Sequence, residues 1–462
     1  MRNHTICTAG HVDHGKSTLV NALTGVDPDR WDEEKRRGLT IDLGFAMADI
    51  SGHESVSFID VPGHERFLKN MLAGVGSVDA CIFVVACNEG WKPQSEEHLR
   101  ILDLLGVKQG IVVLTKISLA DEDLQEIAAL EISEHLMGTF LESAPMVAVD
   151  SITGEGIESL IAELGNVLRH TPISKDHDRP RLWVDRVFTI KGAGTVVTGT
   201  LTGGFLRVDD QIVINPENLL TKIRSLQSHD QHVSEIGPGS RVAINLSNVD
   251  HRSINRGSVI TRPDQWFLTS TFDAELNVLA NVKHEVSRRG AYLSYIGTEE
   301  KYVKVRVLGK DSISSGSKGL IRVYLDEKLP LMLGDPLILR ESGRNETIGG
   351  AIVLDPEPIL RAVEAKPDGS LERIIEERGW ITPSHLEALT GIKKAEDVPG
   401  WVVDPDSLQK MIGYLSQKVE KAGNLGIDIT SLNQYEHAVI QELNDVTIEG
   451  NYLRKEGSDN FS

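Results

Sequence analysis

Between residues 1 and 172, short unbroken apolar runs alternate with longer stretches of helical spacing. The runs cover residues 5–9, 56–61, 80–86, 110–115 and 145–149. A strand buried on both faces reads as such a run, because neither face must meet water. Residues 95–105 and 123–136 instead repeat apolar side chains at the period of an amphipathic helix. Strand and helix in alternation predict a doubly wound α/β domain around a parallel sheet.

The texture changes from residue 181. Helical spacing fades, and short runs rich in Val, Ile and Thr appear between glycines, as in Val187-Phe188-Thr189-Ile190 and Thr195-Val196-Val197-Thr198-Gly199-Thr200. Further runs lie at 211–214, 240–246, 301–308, 319–324 and 336–339. Many short strands with Gly-rich turns predict β-barrels, here two, with a joint near Pro263-Asp264. Asp355-Pro356-Glu357-Pro358 reads as a linker. Helical spacing returns at 371–377, 385–390, 407–422 and 435–443, with strand-like segments at 400–403 and 451–454. Two helices, a turn and a strand pair resemble a winged helix; a small helical packing domain fits the same pattern. The expected fold class is therefore multidomain: an α/β P-loop domain at 1–172, β-barrels at 173–264 and 265–358, and a winged-helix-like C-terminal extension at 359–462.

Composition narrows the classes without choosing among them. The 462 residues are 40% hydrophobic and 25% charged, the balance of a globular chain. No apolar run approaches the roughly 18 residues that cross a bilayer, so no membrane association is expected. The first residues run straight into a strand-like segment with no apolar leader, and a cytoplasmic location is expected. Cys7, Cys81 and Cys87 all fall in apolar runs, where they read as small buried hydrophobes. The net charge of −20 means that any grip on nucleic acid must be local or shape-driven.

Candidate chemistry begins at the end of the first run. Gly10-His11-Val12-Asp13-His14-Gly15-Lys16-Ser17 fits G-x-x-x-x-G-K-[ST], after a strand and before the helical stretch from Thr18. Glycines let the backbone wrap phosphate, and the N–H groups at the helix start face its oxygens. In this pattern Lys16 reaches the β- and γ-phosphates and Ser17 takes Mg²⁺. Asp60-Val61-Pro62-Gly63 closes the next strand but one. A carboxylate there holds Mg²⁺, and Gly63 offers an N–H that senses the γ-phosphate. Thr40, in Arg37-Gly38-Leu39-Thr40-Ile41, can add a hydroxyl to the metal when triphosphate is present. His64 follows Gly63, where a neutral imidazole can orient an attacking water.

Together these segments resemble the translational GTPases of the elongation factor Tu type. The wording Glu34-Lys35-Arg36-Arg37-Gly38-Leu39-Thr40-Ile41-Asp42-Leu43-Gly44-Phe45 resembles the selenocysteine-specific (SelB) branch. So do the stretch from Asp185 to Thr200 and Ile348-Gly349-Gly350. The resemblance covers roughly residues 1–358. It implies GTP and GDP as ligands with Mg²⁺, aminoacyl-tRNA (in this branch selenocysteyl-tRNA) as cargo, and GTP hydrolysis on the ribosome. It also implies that winged helices in the tail can read an mRNA hairpin. Carried over by position, Gly10, His11, Asp13, His14, Gly15, Lys16, Ser17, Thr18, Asp60 and Gly63 line the nucleotide. Ser17, Thr40 and Asp60 serve the metal. Val12 belongs to a hydrophobic gate around His64, and Asp13 steadies the catalytic site. Thr115, Lys116, Ser118, Ser151 and Ile152 fall where the base is read. Asp185 and Arg186 fall in the barrel strand of the amino-acid pocket, although a strand-end salt bridge between them fits equally.

Two departures concern the base alone. The family reads guanine with an Asp at the position of Ser118, and a hydroxyl is a weaker acceptor. The family's Ser-Ala is here Asp150-Ser151, which brings a negative charge towards guanine O6. With the short acidic tail, these changes support a second reading: a nucleotide-binding regulatory paralogue with altered base preference and no tRNA delivery.

Overall fold

The computed structural model describes residues 3–28, 40–50, 53–63, 70–72, 78–172, 174–192, 194–228, 231–344 and 346–456. The first unit is built on a six-stranded sheet of order β2-β3-β1-β4-β5-β6. Its strands are β1 (Asn3–Ala9), β2 (Gly44–Ile50), β3 (His53–Asp60), β4 (Ala80–Ala86), β5 (Gly110–Thr115) and β6 (Met146–Ala148). All neighbours are parallel except β2 against β3. Helices α1 (Lys16–Thr24), α2 (Pro93–Leu104), α3 (Glu122–Leu136) and α4 (Ile157–His170) cover the sheet. Its central strands β4 and β5 are buried at every residue, which explains their unbroken apolar runs. The carboxyl ends of β1, β3, β4, β5 and β6 open onto one edge, where ligands bind in open α/β sheets.

The first barrel is a seven-stranded sheet whose Gln211–Asn215 and Leu219–Ser228 strands also pair with each other. Its long hairpin joins β7 (Arg181–Ile190) to β8 (Gly194–Thr202). The second barrel, from Leu268–Val278 to Glu346–Asp355, is closed. Tyr295 and Ile338 of that barrel join the apolar core beneath α2, so the barrel shares a core with the first unit. Arg322 and Asp273, both buried, make a two-pronged ion pair inside it at 2.6 and 2.8 Å.

The tail folds as two small helix-and-sheet units. Leu371–Arg378 and Pro383–Thr390 flank a two-stranded ladder of Trp380–Ile381 with Val402–Val403. Pro405–Ala422 packs on a three-stranded sheet that ends in the hairpin Val446–Glu449 and Tyr452–Lys455. The helix expected at 435–443 is shorter: Gln434–Ala438 ends at Val439, and a separate 3₁₀ turn covers Ile440–Glu442. Arg378 and Arg373 reach the buried Asp355 at 3.1 and 3.4 Å, fixing the tail to the second barrel. All three cysteines are buried and free. Among the described residues no helix is long and apolar enough to cross a membrane.

Candidate nucleotide site

The loop between β1 and α1 occupies the sheet's carboxyl edge. Gly10 has φ +133°, and a Cβ there would lie 2.1 Å from the Val84 carbonyl oxygen, so only glycine lets β1 turn this close to β4. Gly15 caps α1 in the left-handed region, which aims the first N–H groups of the helix into the loop. Lys16 is 5% exposed, and its Nζ donates to the carbonyls of Gly10 (3.1 Å) and His11 (2.7 Å). The ammonium is thus held across the loop's mouth. Gly63 closes from the other side: a Cβ on it would stand 2.4 Å from Lys16 Nζ and 2.5 Å from Val12 N.

Three oxygens converge beside this lysine. Ser17 Oγ donates to Asp60 Oδ2 at 2.7 Å and lies 2.8 Å from Thr40 Oγ1. With the serine proton committed to Asp60, Thr40 is the donor in the second bond. Asp60 is fully buried, and its other oxygen accepts from Thr8 Oγ1 at 2.7 Å. Thr8 in turn accepts from the Val61 N–H at 3.1 Å, which locks the end of β3 to β1. Two hydroxyls and one carboxylate are the hard oxygen donors that suit Mg²⁺, which binds through few protein ligands and keeps several waters. The donor set therefore fits that ion.

Beneath the loop lie groups that sequence reasoning missed. His98 Nδ1 accepts from the Gly10 N–H at 3.1 Å, and Gln94 Oε1 accepts from the Val12 N–H at 3.2 Å. Both belong to α2, four residues apart, and therefore share a face. That spacing was the available signal, but nothing local said that the face looks onto the loop. Burial, with help from the Lys16 and His11 charges, brings His98 down to about 3. His14 is also held at about 3, first by burial and then by His11. Its ring is 0% exposed and packs under the loop, 3.4 Å from the Val84 carbonyl, so its backbone is what remains to meet phosphate. Asp13 has φ +64°, and both it and Thr18 are exposed.

These histidines give the protein an acid-sensitive site. An unfolded histidine takes its proton near pH 6.5, and these two stay neutral down to about 3. The unfolded chain therefore binds more protons between those values, so stability falls as pH drops from 7 to 4. His98→Gln keeps an acceptor for Gly10 and removes one titrating ring. Urea unfolding at a series of pH values should show wild type losing stability more steeply on acidification, by about one proton's worth of slope. Parallel curves for the two proteins would refute the assignment.

The segments expected to read the base meet further along the same edge. Thr115 closes β5, and its hydroxyl donates to the His14 carbonyl at 2.6 Å, linking this region to the phosphate loop. Lys116 takes a left-handed turn with φ +58° and pairs with Glu89 at 3.0 Å. Ser118 sits in the 3₁₀ turn Ile117–Leu119. Asp121 caps α3 by accepting from Leu124 N–H at 2.9 Å, so it stands apart from the base position. The Asp150 carboxylate is engaged by groups of its own and the neighbouring loop. It accepts from the Ser118 hydroxyl and from the N–H groups of Ile152 (2.9 Å) and Thr153 (3.0 Å). The Ser118 bond and then the Thr153 N–H hold it down to about 2. Ser151 and Ile152 lie in that same turn.

Asp185 and Arg186 do not form the expected strand-end pair. Asp185 is 7% exposed and takes a two-pronged contact from Arg241 at 2.5 and 3.0 Å, with Thr198 Oγ1 at 2.7 Å. Burial alone would raise its pKa, but the Arg241 guanidinium outweighs it and holds the carboxyl below its usual range. Arg186 instead donates to the Leu43 carbonyl and lies 3.6 Å from Asp42. The Arg186 and Arg241 guanidiniums both cover the Phe45 ring, at 4.7 and 3.4 Å from its centroid. Arg256 bonds Asn70 at 2.9 Å, and Asn70 bonds the Ile41 carbonyl at 2.8 Å. The segment after Thr40 is therefore tied to the first barrel. His64 and residues 29–39 lie outside the described residues.

Comparison with known proteins agrees with this architecture. Residues 1–170 match the elongation factor Tu GTP binding domain, and 194–261 match elongation factor Tu domain 2. Residues 274–359 match the β-barrel domain of the selenocysteine-specific elongation factor. The selenocysteine-specific elongation factor of Methanocaldococcus jannaschii is 32% identical over 377 residues, which is 75% of this chain and 80% of that protein. A crystal structure of a bacterial selenocysteine-specific elongation factor superposes with a TM-score of 0.82 at 30% identity, over 99% of this chain and 80% of that one. The chain belongs to the selenocysteine-specific elongation factor family. The family member from Desulfomicrobium baculatum is 40% identical over 352 residues, 76% of this chain. The chain spans 55% of that relative's length and 57% of the Escherichia coli one. The three matched regions account for the α/β unit and both barrels; the tail lies beyond them.

Proposed function

We propose that the chain is a GTP-driven translation factor that carries selenocysteyl-tRNA to the ribosome and hydrolyses GTP there. The observation that carries the reading is the convergence of Ser17, Thr40 and Asp60 beside Lys16 and Gly63. The loop at Gly10–Thr18 cradles the phosphates, and Lys16 neutralises the β- and γ-oxygens. Ser17, Thr40 and Asp60 hold Mg²⁺, whose charge offsets that of the phosphates. Gly63 senses the γ-phosphate through its N–H, and His64 orients the attacking water, with Val12 and Asp13 shaping its surroundings. Thr115, Lys116, Ser118, Ser151 and Ile152 line the base. Thr40 belongs to the segment that Arg186, Arg241 and, through Asn70, Arg256 tie to the first barrel, which supports coupling of the nucleotide state to an amino-acid pocket at Asp185 and Arg186. Under this reading the units are 1–172, 173–264, 265–358 and 359–462, the last offering a surface for an mRNA hairpin, in the cytoplasm.

Filter binding in GTP with selenocysteyl-tRNA, seryl-tRNA and a bulk aminoacyl-tRNA tests the assignment. Selective retention of the first species is the expected result. Retention of none of them, alongside normal nucleotide binding, would overturn tRNA delivery and leave a regulatory nucleotide-binding protein.

A further inference from the structure

The pair Ser118 and Asp150 raises a question that the family pattern does not answer: what reads the base when the expected Asp is a Ser. Strands β5 and β6 are parallel neighbours, with Leu114 opposite Ala148. Their carboxyl ends therefore deliver residues 116–118 and 150–153 side by side. Where the family has Asp on the first loop and Ser on the second, this chain has Ser118 and Asp150, the same two groups exchanged.

The hydrogen bonds show how the exchange works. Ser118 Oγ donates to Asp150 Oδ2. Asp150 Oδ1 is taken up by Ile152 and Thr153 N–H. The Ser118 backbone N–H also bonds this carboxylate, so its roughly four acceptor positions are engaged within the two loops, and Asp150 itself is buried. Ser118 is exposed and has given its proton away, so its hydroxyl oxygen is left as an acceptor. A hydroxyl whose proton is held by a carboxylate becomes a stronger acceptor, because bonds in a chain polarise one another. The result is a hydroxyl oxygen with lone pairs to offer, backed by a buried negative charge. Guanine presents two adjacent donors, N1–H and the 2-amino group; adenine presents no such pair. In the same turn, Ser151 Oγ is buried with no partner among the described residues, so the loop also holds an uncommitted polar atom.

We propose that Ser118 and Asp150 act as one composite acceptor for guanine N1–H and its 2-amino group, with the base-reading charge transferred from the β5 loop to the β6 loop. This rests on the nucleotide-site reading above and removes the reason to expect a changed base. The charge stays ionised far below neutral pH.

Calorimetric titration with GDP, IDP and ADP tests it. IDP keeps N1–H and lacks the 2-amino group, so the GDP-to-IDP ratio reads that contact alone. A site built to bond an N–H discriminates strongly against the analogue that lacks it, and wild type should favour GDP over IDP by about tenfold or more. Ser118→Ala, at an exposed position, should bring the ratio close to one, with GDP losing more than IDP. Asp150→Ala leaves the Ser118 hydroxyl without the charge behind it and should lower the ratio as well, with GDP again losing more than IDP. The exchanged variant Ser118→Asp/Asp150→Ser should recover the wild-type ratio. A ratio unmoved by Ser118→Ala, or GDP and IDP weakening in parallel, would overturn the composite acceptor while leaving the GTP site standing. Failure of wild type to bind GDP at all would overturn both.

Discussion

Lys16→Ala lowers GTP affinity by roughly a hundred- to ten-thousandfold and leaves the fold intact. The reasoning starts from the ammonium's position. Lys16 Nζ is held by two loop carbonyls at 3.1 and 2.7 Å, and its stem is buried at the start of α1. Those carbonyls are neutral partners, and phosphate oxygens are charged ones. A hydrogen bond to a charged group is worth about 1.5–3 kcal/mol, and Lys16 can make two, to the β- and γ-phosphates. Losing both costs about 3–6 kcal/mol, which is the stated range of affinity. Alanine is a good helix former, so α1 should survive the change. Titration with GTP and GDP checks the effect, and thermal melting checks the fold. An affinity within threefold of wild type would show that the phosphates lie elsewhere.

Arg241→Ala should destabilise the first barrel by about 3–5 kcal/mol, because it strands the Asp185 carboxylate in the interior. Among the described residues, the Thr198 hydroxyl is then the hydrogen-bond donor left to Asp185. In wild type the carboxyl is held below its usual range, so the pair contributes stability above the unfolded carboxylate pKa and loses it as pH falls through the folded one. In the variant burial remains and the guanidinium is gone, so the carboxyl titrates upward. Adding Asp185→Asn should therefore return part of the lost stability. Urea unfolding followed by tryptophan fluorescence reads this in a barrel that carries Trp183. The same variant removes the guanidinium 3.4 Å from the Phe45 ring centroid, so retention of selenocysteyl-tRNA should fall together with stability. Arg241→Lys keeps the charge without the two-pronged fork and should recover stability only in part. Wild-type unfolding of Arg241→Ala would refute the buried-pair account.

The strands of the α/β unit were legible because burial on both faces leaves a continuous apolar signature, as β4 and β5 show at every residue. The barrels were legible as a class, but the sheet order was not, since pairing depends on contacts between distant strands. The short helix at Gln434–Ala438 was overread, because apolar spacing alone does not reveal where a helix gives way to a 3₁₀ turn.

The phosphate loop was the most local feature, and the chain's order alone determined it. Eight consecutive residues and the helix that follows supply the backbone donors, the lysine and the hydroxyl. Ser17 and Asp60 were identified from motif and position, and the fold brings them within 2.7 Å. Other decisions belong to the tertiary structure. His98 and Gln94 support the loop from a helix more than eighty residues away, and Thr8 fixes Asp60 from the neighbouring strand. Arg241, not Arg186, holds Asp185, and Asp150 is bonded by Ser118 from the neighbouring loop. The physical reason is common to these cases. A backbone cradle needs only contiguous residues, whereas the partner of a charged side chain is set by strand register and by which loops leave the sheet side by side.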